Sequence, residues 1–274
     1  MWNHTVRTRR LAIKVAISQV LFVSTGCSQG APEEPESHPI ASQQLALSTP
    51  PQSAAPIDPS TSRFAFGPNV VPISRSDVSL LRGEWGTMVL RGNGYVTAGS
   101  HADSPSRSRP VPQSGDVHNA LVLDYFVGRG LPRSEIQQVS AHASMHVSGD
   151  TTVPPEDAPT IFDWYSSVIT RQVDGVPVAD SFAVARMNSD GDVVSESYFW
   201  PPIDAAVLSS AKQLQAAPRA PQIASGTVRI HHAPALAEGT YPMIATIDVL
   251  YDKERRTRHY EASGAEVALP WSRQ

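Results

Sequence analysis

The chain has 274 residues, a formal net charge of −4 at pH 7 and a single cysteine. One cysteine excludes a disulfide bond within the chain, so the fold cannot depend on one. The mildly acidic charge and the lack of a basic stripe exclude nucleic acid as an expected partner.

The first 26 residues are predicted to be a secretory signal. Residues 15–23 form a mostly apolar run of nine residues, whereas a membrane-spanning helix needs roughly 20. A basic start without any acid precedes this run, as is typical of export signals. Its basic residues are Arg7, Arg9, Arg10 and Lys14. Their removal with the signal takes the net charge from −4 to −8.

Residues 24–27, Ser-Thr-Gly-Cys, resemble the lipobox of bacterial lipoproteins, although Ser24 stands where an aliphatic residue is usual. The resemblance implies that the signal is cut before Cys27 and that its thiol and new amino group are both acylated. Several acyl chains anchor a protein stably where one is marginal. Ser28, in place of an aspartate, resembles lipoproteins sent to the outer membrane of two-membrane bacteria. The alternative is ordinary signal cleavage that leaves a free thiol.

Residues 27–62 are predicted to be a lipidated, disordered tether. The segment after the cysteine is rich in proline, serine, glutamine and alanine, and it contains no aromatic residue. Such a composition cannot bury enough apolar area to offset the entropy lost on ordering. We therefore expect a spacer between a membrane and the folded part of the chain.

Residues 63–115 are predicted to be a β-rich segment followed by a loop. Strand-like residues 85–90 and 95–98 flank an Arg-Gly-Asn-Gly sequence, in which Asn-Gly favours a tight turn. Serine and proline then dominate residues 101–115, which indicates a loop or a boundary.

Residues 116–274 alternate between predicted helices and strands. One helix is expected over 117–127 with Asp116 as its cap, and a second follows Asp204 and ends before Pro218. The predicted strands are 136–147, 162–173, 181–187, 192–200, 227–232, 243–251, 258–262 and 265–269. This order predicts an α+β fold in which a helix packs on each antiparallel sheet. The two αβββ-type units would be 116–202 and 203–274.

The strands of residues 168–200 carry a resemblance to PepSY-type, propeptide-like domains. Arg171 precedes a Gly-Val-Pro-Val sequence at 175–178, and an Asp-Gly turn at 190–191 precedes Val193-Val194. The resemblance covers 116–200 and extends towards residue 270. It implies an exported, usually non-catalytic α+β module of PepSY/cystatin-like fold. Some members inhibit metallopeptidases or assist their folding. The chain contains no His-Glu-x-x-His sequence, so such a peptidase would be a separate protein.

Two histidine pairs are interpreted as structural rather than metal-binding. His142 and His146 share a face of a predicted strand but stand roughly 13 Å apart, too far to ligate one zinc ion at bonds of about 2.0–2.1 Å. His231 and His232 are adjacent on a strand and therefore point to opposite faces, with His232 on the apolar side.

Five further features are assigned no chemistry. A Gly-x-Ser-x-Gly sequence at 26–30 straddles the predicted cleavage site, outside any folded sheet. Residues 188–192 begin like a calcium loop but lack its later Gly and Glu, so they predict a turn. The aromatic and proline residues 198–202 are expected to pack the second helix on the sheet. Residues 253–256 are expected to be an exposed hairpin tip, and Glu196 interrupts an otherwise apolar strand face.

The sequence predicts no catalytic residue, no cofactor and no metal site, and Cys27 is the one residue expected to be modified. The first hypothesis is a non-enzymatic envelope lipoprotein that carries a binding or peptidase-inhibitory module. Its partners would be the membrane, through lipid on Cys27, and an envelope protein or peptidase. The alternatives are a structural spacer of the envelope and a hydrolase without a recognisable motif. Either way we expect export to the cell envelope, at the outer membrane where the host has one.

Overall fold

The computed structural model describes residues 62–75, 78–91, 94–147, 160–232, 243–251 and 256–269. All of them belong to one unit, Gln44–Gln274. The predicted signal, Cys27, almost the whole tether and residues 253–255 of the expected hairpin tip lie outside the described residues. Within those residues, no helix has the length and apolar character needed to cross a bilayer.

One sheet contains the eleven strands of the described part of the chain. They are β1 Val71–Arg75, β2 Val78–Arg82, β3 Gly86–Arg91, β4 Val96–Ser100, β5 Ile136–Val147, β6 Thr160–Val173, β7 Val176–Met187, β8 Val193–Phe199, β9 Thr227–His232, β10 Met243–Tyr251 and β11 Arg256–Tyr260. Two helices accompany them, α1 Gly115–Gly128 and α2 Ala205–Ala216.

Strand β7 is the branch point of the sheet. On one side it pairs antiparallel with β6, which pairs with β5. On its other side the second half of β7 pairs antiparallel with β8, and its first half runs parallel to β9 at Val178 and Ile230. The arm through β8 continues antiparallel as β4-β3-β2-β1. The arm through β9 continues antiparallel as β10-β11.

Each helix covers one part of the sheet and buries its own core cluster. Helix α1 packs on β5, β6 and β7, whereas α2 packs on β10, β9 and β7. Val122 and Phe126 of α1 are buried in the first cluster, and Val207 and Ala211 of α2 in the second. The alternation of β9 places Val228, Ile230 and His232 towards the second cluster, because successive side chains of a strand face opposite ways.

Of the two residues predicted to cap the N-termini of the helices, one does so. The side chain of Asp204 accepts a hydrogen bond from the backbone N–H of Ala206, which confirms the predicted cap of α2. The prediction of Asp116 as the first cap is wrong, because Ser114 accepts from Val117 N–H instead. A serine hydroxyl satisfies this otherwise unpaired donor equally well.

The predicted fold class is wrong. We expected separate antiparallel sheets at 116–202 and 203–274, each packed by a helix as in PepSY/cystatin-like α+β domains. Instead, the described strands form one large mixed sheet of eleven strands, and the described residues contain only two α-helices besides three short 3₁₀ helices. The physical reason is the length of β7, whose 12 residues expose enough backbone to hydrogen-bond β8 and β9 along one edge. Strand β4 then pairs with the open edge of β8 and adds β1–β4.

Most individual strands lie where alternation predicts them. The strands at 227–232 and 243–251 have the predicted bounds, and the helix expected at 117–127 is α1. The Asp174-Gly175 turn between β6 and β7 is also confirmed, since both residues have the positive φ that a two-residue hairpin turn requires, 50° and 78°. The strand expected at 265–269 is reduced to one bridge between Tyr260 and Glu266.

Candidate functional site

A buried ion pair links the end of α1 to the middle of β8. Nη1 of Arg129 lies 2.6 Å from Oε2 of Glu196, and the two side chains are 8% and 0% exposed. The Tyr125 hydroxyl donates to the same Oε2 at 2.6 Å and lies 2.6 Å from Arg129 Nη1. Burial, reinforced by the Glu196 carboxylate, raises the pKa of the Tyr125 hydroxyl, so this group remains a donor. Tyr125 and Arg129 stand four residues apart, one turn along the helix, which brings both to Glu196.

Arg129 keeps an unused edge beside a small pocket. Among the described residues, its Nε and Nη2 have no hydrogen-bond partner although both atoms are buried. The pocket is lined by Phe126, Arg129, Leu131 and Tyr198, and its cavity volume is about 20 Å³. Leaving a buried donor unpaired costs about 1–3 kcal/mol. Arg129 is therefore the lining residue of this pocket with unsatisfied donors, and the other lining residues are apolar or aromatic.

A second buried arginine, Arg171, is fully engaged in structure. Its Nε donates to Oε2 of Glu135 at 2.8 Å, and its guanidinium lies over the Trp200 ring at 5.0 Å. The indole N–H of Trp200 donates to the same carboxylate oxygen at 2.9 Å, and Nη1 of Arg171 donates to the carbonyl of Pro201. These contacts fix the aromatic corner, so Arg171 offers no free edge comparable to that of Arg129.

The aromatic corner was predicted to pack the second helix, and it divides between the two cores. Phe199 is buried in the cluster under α2, as predicted. Tyr198 and Trp200 instead pack against the cluster under α1. Tyr198 stacks on Phe126 with the ring centroids 5.9 Å apart, and burial raises the pKa of its hydroxyl. One strand thus supplies both cores, because alternate residues of β8 face opposite sides.

His118, Ser167 and Asn119 form a chain of buried hydrogen bonds that resembles a catalytic set in composition only. Nε2 of His118 accepts from the backbone N–H of Met187 at 3.0 Å, so Nδ1 carries the proton. Nδ1 lies 2.6 Å from the Ser167 hydroxyl, which donates onward to Oδ1 of Asn119 at 2.7 Å. A nucleophilic serine must give its proton to the histidine. Here the histidine donates to the serine, so the set is structural.

Three side chains converge on Asp248, on the face of β9, β10 and β11 opposite α2. Nε2 of His231 lies 3.0 Å from Oδ2 of Asp248, and Nδ1 of His259 lies 2.9 Å from Oδ1 of Asp248. The hydroxyl of Thr246 donates to the same Oδ1 at 2.8 Å. Burial alone would raise the pKa of Asp248, but the hydrogen bonds from these three partners hold it far below its ordinary range.

The two histidine pairs of the sequence analysis, His142 with His146 and His231 with His232, lie as expected. His142 and His146 are both exposed, and Nδ1 of His146 lies 2.6 Å from Oδ1 of Asp163. His231 and His232 point to opposite faces, as predicted. His232 is fully buried against the ring of Phe199 at 4.9 Å. Residues 188–192 form a turn in which Oδ1 of Asn188 accepts from two backbone N–H groups.

Sequence reasoning missed both polar constellations, although each left a signal. Glu196 was recognised as a charge on an inward strand position, but its partners Tyr125 and Arg129 lie on a distant helix. His231 was placed on the less apolar face without its partners. The same alternation puts Asp248 on that face of its strand, and His259 is paired with Asp248 only through the register of β10 and β11.

Comparison of the chain with protein-family models, with curated proteins and with solved structures finds no match. The resemblance to PepSY-type domains therefore stays a prediction about the local sequence, while the fold that it implied is wrong. The function has to be argued from the residues of the described sites.

Proposed function

We propose that this protein is a lipid-anchored binding module of the bacterial cell envelope that holds a carboxylate of its partner against Arg129. The observation that carries the binding half of the proposal is the unpaired, buried Nε and Nη2 edge of Arg129 in its pocket. The anchoring half is supported by the predicted signal and by the lipobox-like sequence that ends at Cys27.

The chemistry of the Arg129 edge favours a carboxylate. Nε–H and one Nη2–H of a guanidinium point the same way and match the two oxygens of a carboxylate. Phe126, Leu131 and Tyr198 line the same pocket as Arg129 with apolar and aromatic surface. A carboxylate next to a small apolar group, such as the carboxyl end of a peptide, satisfies both features.

The existing pair with Glu196 tunes the strength of such binding. Because Glu196 already compensates the charge of Arg129 at 2.6 Å, a bound carboxylate gains hydrogen bonds but little net attraction between charges. We therefore expect modest affinity, in the micromolar to millimolar range. Such affinity suits a module whose lipid anchor and tether already concentrate it beside its partner.

The binding site is tested by titrating the full-length chain, purified in detergent, with a short apolar peptide that has a free carboxyl end. The Nε–H resonance of Arg129 is expected to shift in ¹⁵N NMR spectra, and the same peptide with an amidated end is expected to shift it much less. Arg129→Lys keeps the charge next to Glu196 but lacks the two-donor edge, so we expect binding at least tenfold weaker.

Arg133→Lys is the matched control, because Arg133 is an exposed neighbour whose ion pair with Asp124 faces solvent. It should leave peptide affinity unchanged. Equal affinity for the acid and the amide, or wild-type affinity in Arg129→Lys, would reject the carboxylate site.

The anchor is tested separately by mass spectrometry of the protein isolated from its host. We expect the mature chain to begin at Cys27 and to carry acyl groups on its thiol and amino group, since several chains are needed for stable attachment. An uncut leader or an unmodified Cys27 thiol would contradict the anchoring half and leave the Arg129 site to be judged by its own titration.

A further inference from the structure

The cluster of His231, Asp248 and His259 has the composition of a metal site. Their candidate donor atoms all lie within 4.8 Å of one another. Two imidazole nitrogens and one carboxylate oxygen suit first-row divalent ions such as Zn²⁺, whereas Mg²⁺ and Ca²⁺ prefer sets made of oxygen. We propose that these three residues bind a divalent transition-metal ion, with Zn²⁺ as the best match.

The three donors lie close enough to share one ion after a small adjustment of their side chains. Bonds of about 2.0–2.2 Å in tetrahedral geometry place the donor atoms roughly 3.4 Å apart. The separations of 3.0 Å between His231 and Asp248 and of 2.9 Å between His259 and Asp248 are somewhat shorter. All of the candidate donor atoms lie within 4.8 Å of one another, so the side chains shift slightly to surround an ion. An ion that enters between these atoms replaces the hydrogen bonds by coordinate bonds from the same side chains.

Neighbouring groups lie near the positions of outer-shell partners. Nδ1 of His231 faces Oδ2 of Asp180 at 3.9 Å. When Nε2 binds a metal, the imidazole proton resides on Nδ1, and a carboxylate there orients the ring and strengthens the ligand. Thr246 donates to Oδ1 of Asp248 at 2.8 Å and fixes the carboxylate in the same way.

The local charge is compatible with a cation. Asp180 and Asp248 contribute two negative charges, and Arg229 contributes one positive charge with its Nε 3.7 Å from Oδ2 of Asp248. The side chain of Arg229 is 43% exposed, so it can turn towards solvent when an ion binds. The side chains of His231 and Asp248 are each 7% exposed and that of His259 is 17% exposed, which leaves entry beside the edge strand β11.

Coordination would fasten β9, β10 and β11 to one another. A metal with three protein ligands also keeps a position open for water or for a donor atom of a partner. This site lies on β9, β10 and β11, whereas the Arg129 pocket lies between α1 and β8. The two proposals therefore stand or fall separately.

The test uses the full-length chain in detergent after treatment with a chelator. Calorimetric titration with Zn²⁺ is expected to show one site with Kd in the micromolar range or below, and Zn²⁺ is expected to raise Tm. Co²⁺ is expected to produce visible absorption bands that Zn²⁺ abolishes. His259→Gln and Asp248→Asn should weaken binding at least 100-fold, and Asp180→Asn about tenfold, as is typical for outer-shell partners.

His142→Gln is the control, because His142 is exposed on β5, away from this cluster, and it should bind Zn²⁺ like the wild type. His259 is the least buried ligand and lies on the edge strand, so His259→Gln remains informative if substitution of His231 prevents folding. The absence of Zn²⁺ binding in the wild type, or unchanged binding in His259→Gln, would overturn the metal site.

Discussion

Replacing Glu196 with glutamine is expected to lower the free energy of unfolding by about 3–5 kcal/mol, because it leaves the buried Arg129 charge without its partner. Glutamine keeps the shape of the side chain and still accepts a hydrogen bond from Tyr125. The loss therefore reports the uncompensated charge rather than a cavity. Urea unfolding of wild type and Glu196→Gln at pH 7, followed by circular dichroism, measures it.

Two further variants separate the charge from the packing. The double variant Arg129→Met with Glu196→Leu removes both charges, and we expect it to recover most of the lost stability because apolar side chains can fill the same space. Glu266→Gln is the matched control at an exposed pair, where Arg258 Nη1 lies 3.7 Å from Oε2. Glu266→Gln should lower the free energy of unfolding by less than about 1 kcal/mol. A loss in Glu196→Gln no larger than in Glu266→Gln would contradict the prediction.

The same variant connects stability to the proposed carboxylate site. In Glu196→Gln the charge of Arg129 is no longer compensated, so a small carboxylate such as acetate should bind the pocket more tightly than in the wild type. We expect acetate to restore part of the stability, since a ligand that binds only the folded state shifts the equilibrium towards it. Sodium chloride at the same ionic strength is the control for general screening.

Lowering the pH from 6.5 to 4 is expected to destabilise the protein by up to about 3 kcal/mol through His118 alone. Burial lowers the pKa of this fully buried histidine to about 4 from an ordinary value of 6.5. Between these two pKa values His118 is protonated in the unfolded chain but neutral in the folded chain. The free energy of unfolding therefore rises with pH in this range. The contribution is fully present above about pH 6.5 and is lost as the pH falls to about 4.

Urea unfolding at several pH values in wild type and His118→Gln isolates this contribution. Glutamine can accept from Met187 N–H and donate to Ser167 without titrating, so we expect a flatter dependence of stability on pH between 4 and 6.5. His142→Gln, at an exposed position, should keep the wild-type slope. The prediction is refuted when His118→Gln retains that slope. Asp248, whose pKa is lowered in the folded state, also contributes to the slope near pH 4, but it contributes equally in the wild type and in both variants, so the comparison isolates His118.

The fold could be predicted element by element but not as a whole. Polar caps, turn residues and the period of apolar positions are local features, and they located α1, α2 and most strands. The pairing of those strands depends on which backbone edges remain open after the chain has collapsed. Nothing in the alternation of β4 or β8 indicates that they pair, although residues such as Thr97 and Ser197 are direct neighbours. The wrong fold class follows from that missing information.

The candidate sites show the same division. The inward position of Glu196 and the opposite orientation of His231 and His232 follow from the two-residue period of a strand. The sequence by itself determined these faces, the Asp174-Gly175 turn and the places of both helices, because each depends on neighbours along the chain. Only the tertiary structure decided that Arg129 contacts Glu196 and that His231 and His259 both contact Asp248. Those contacts join residues far apart in sequence, and their geometry is set by strand register and helix packing.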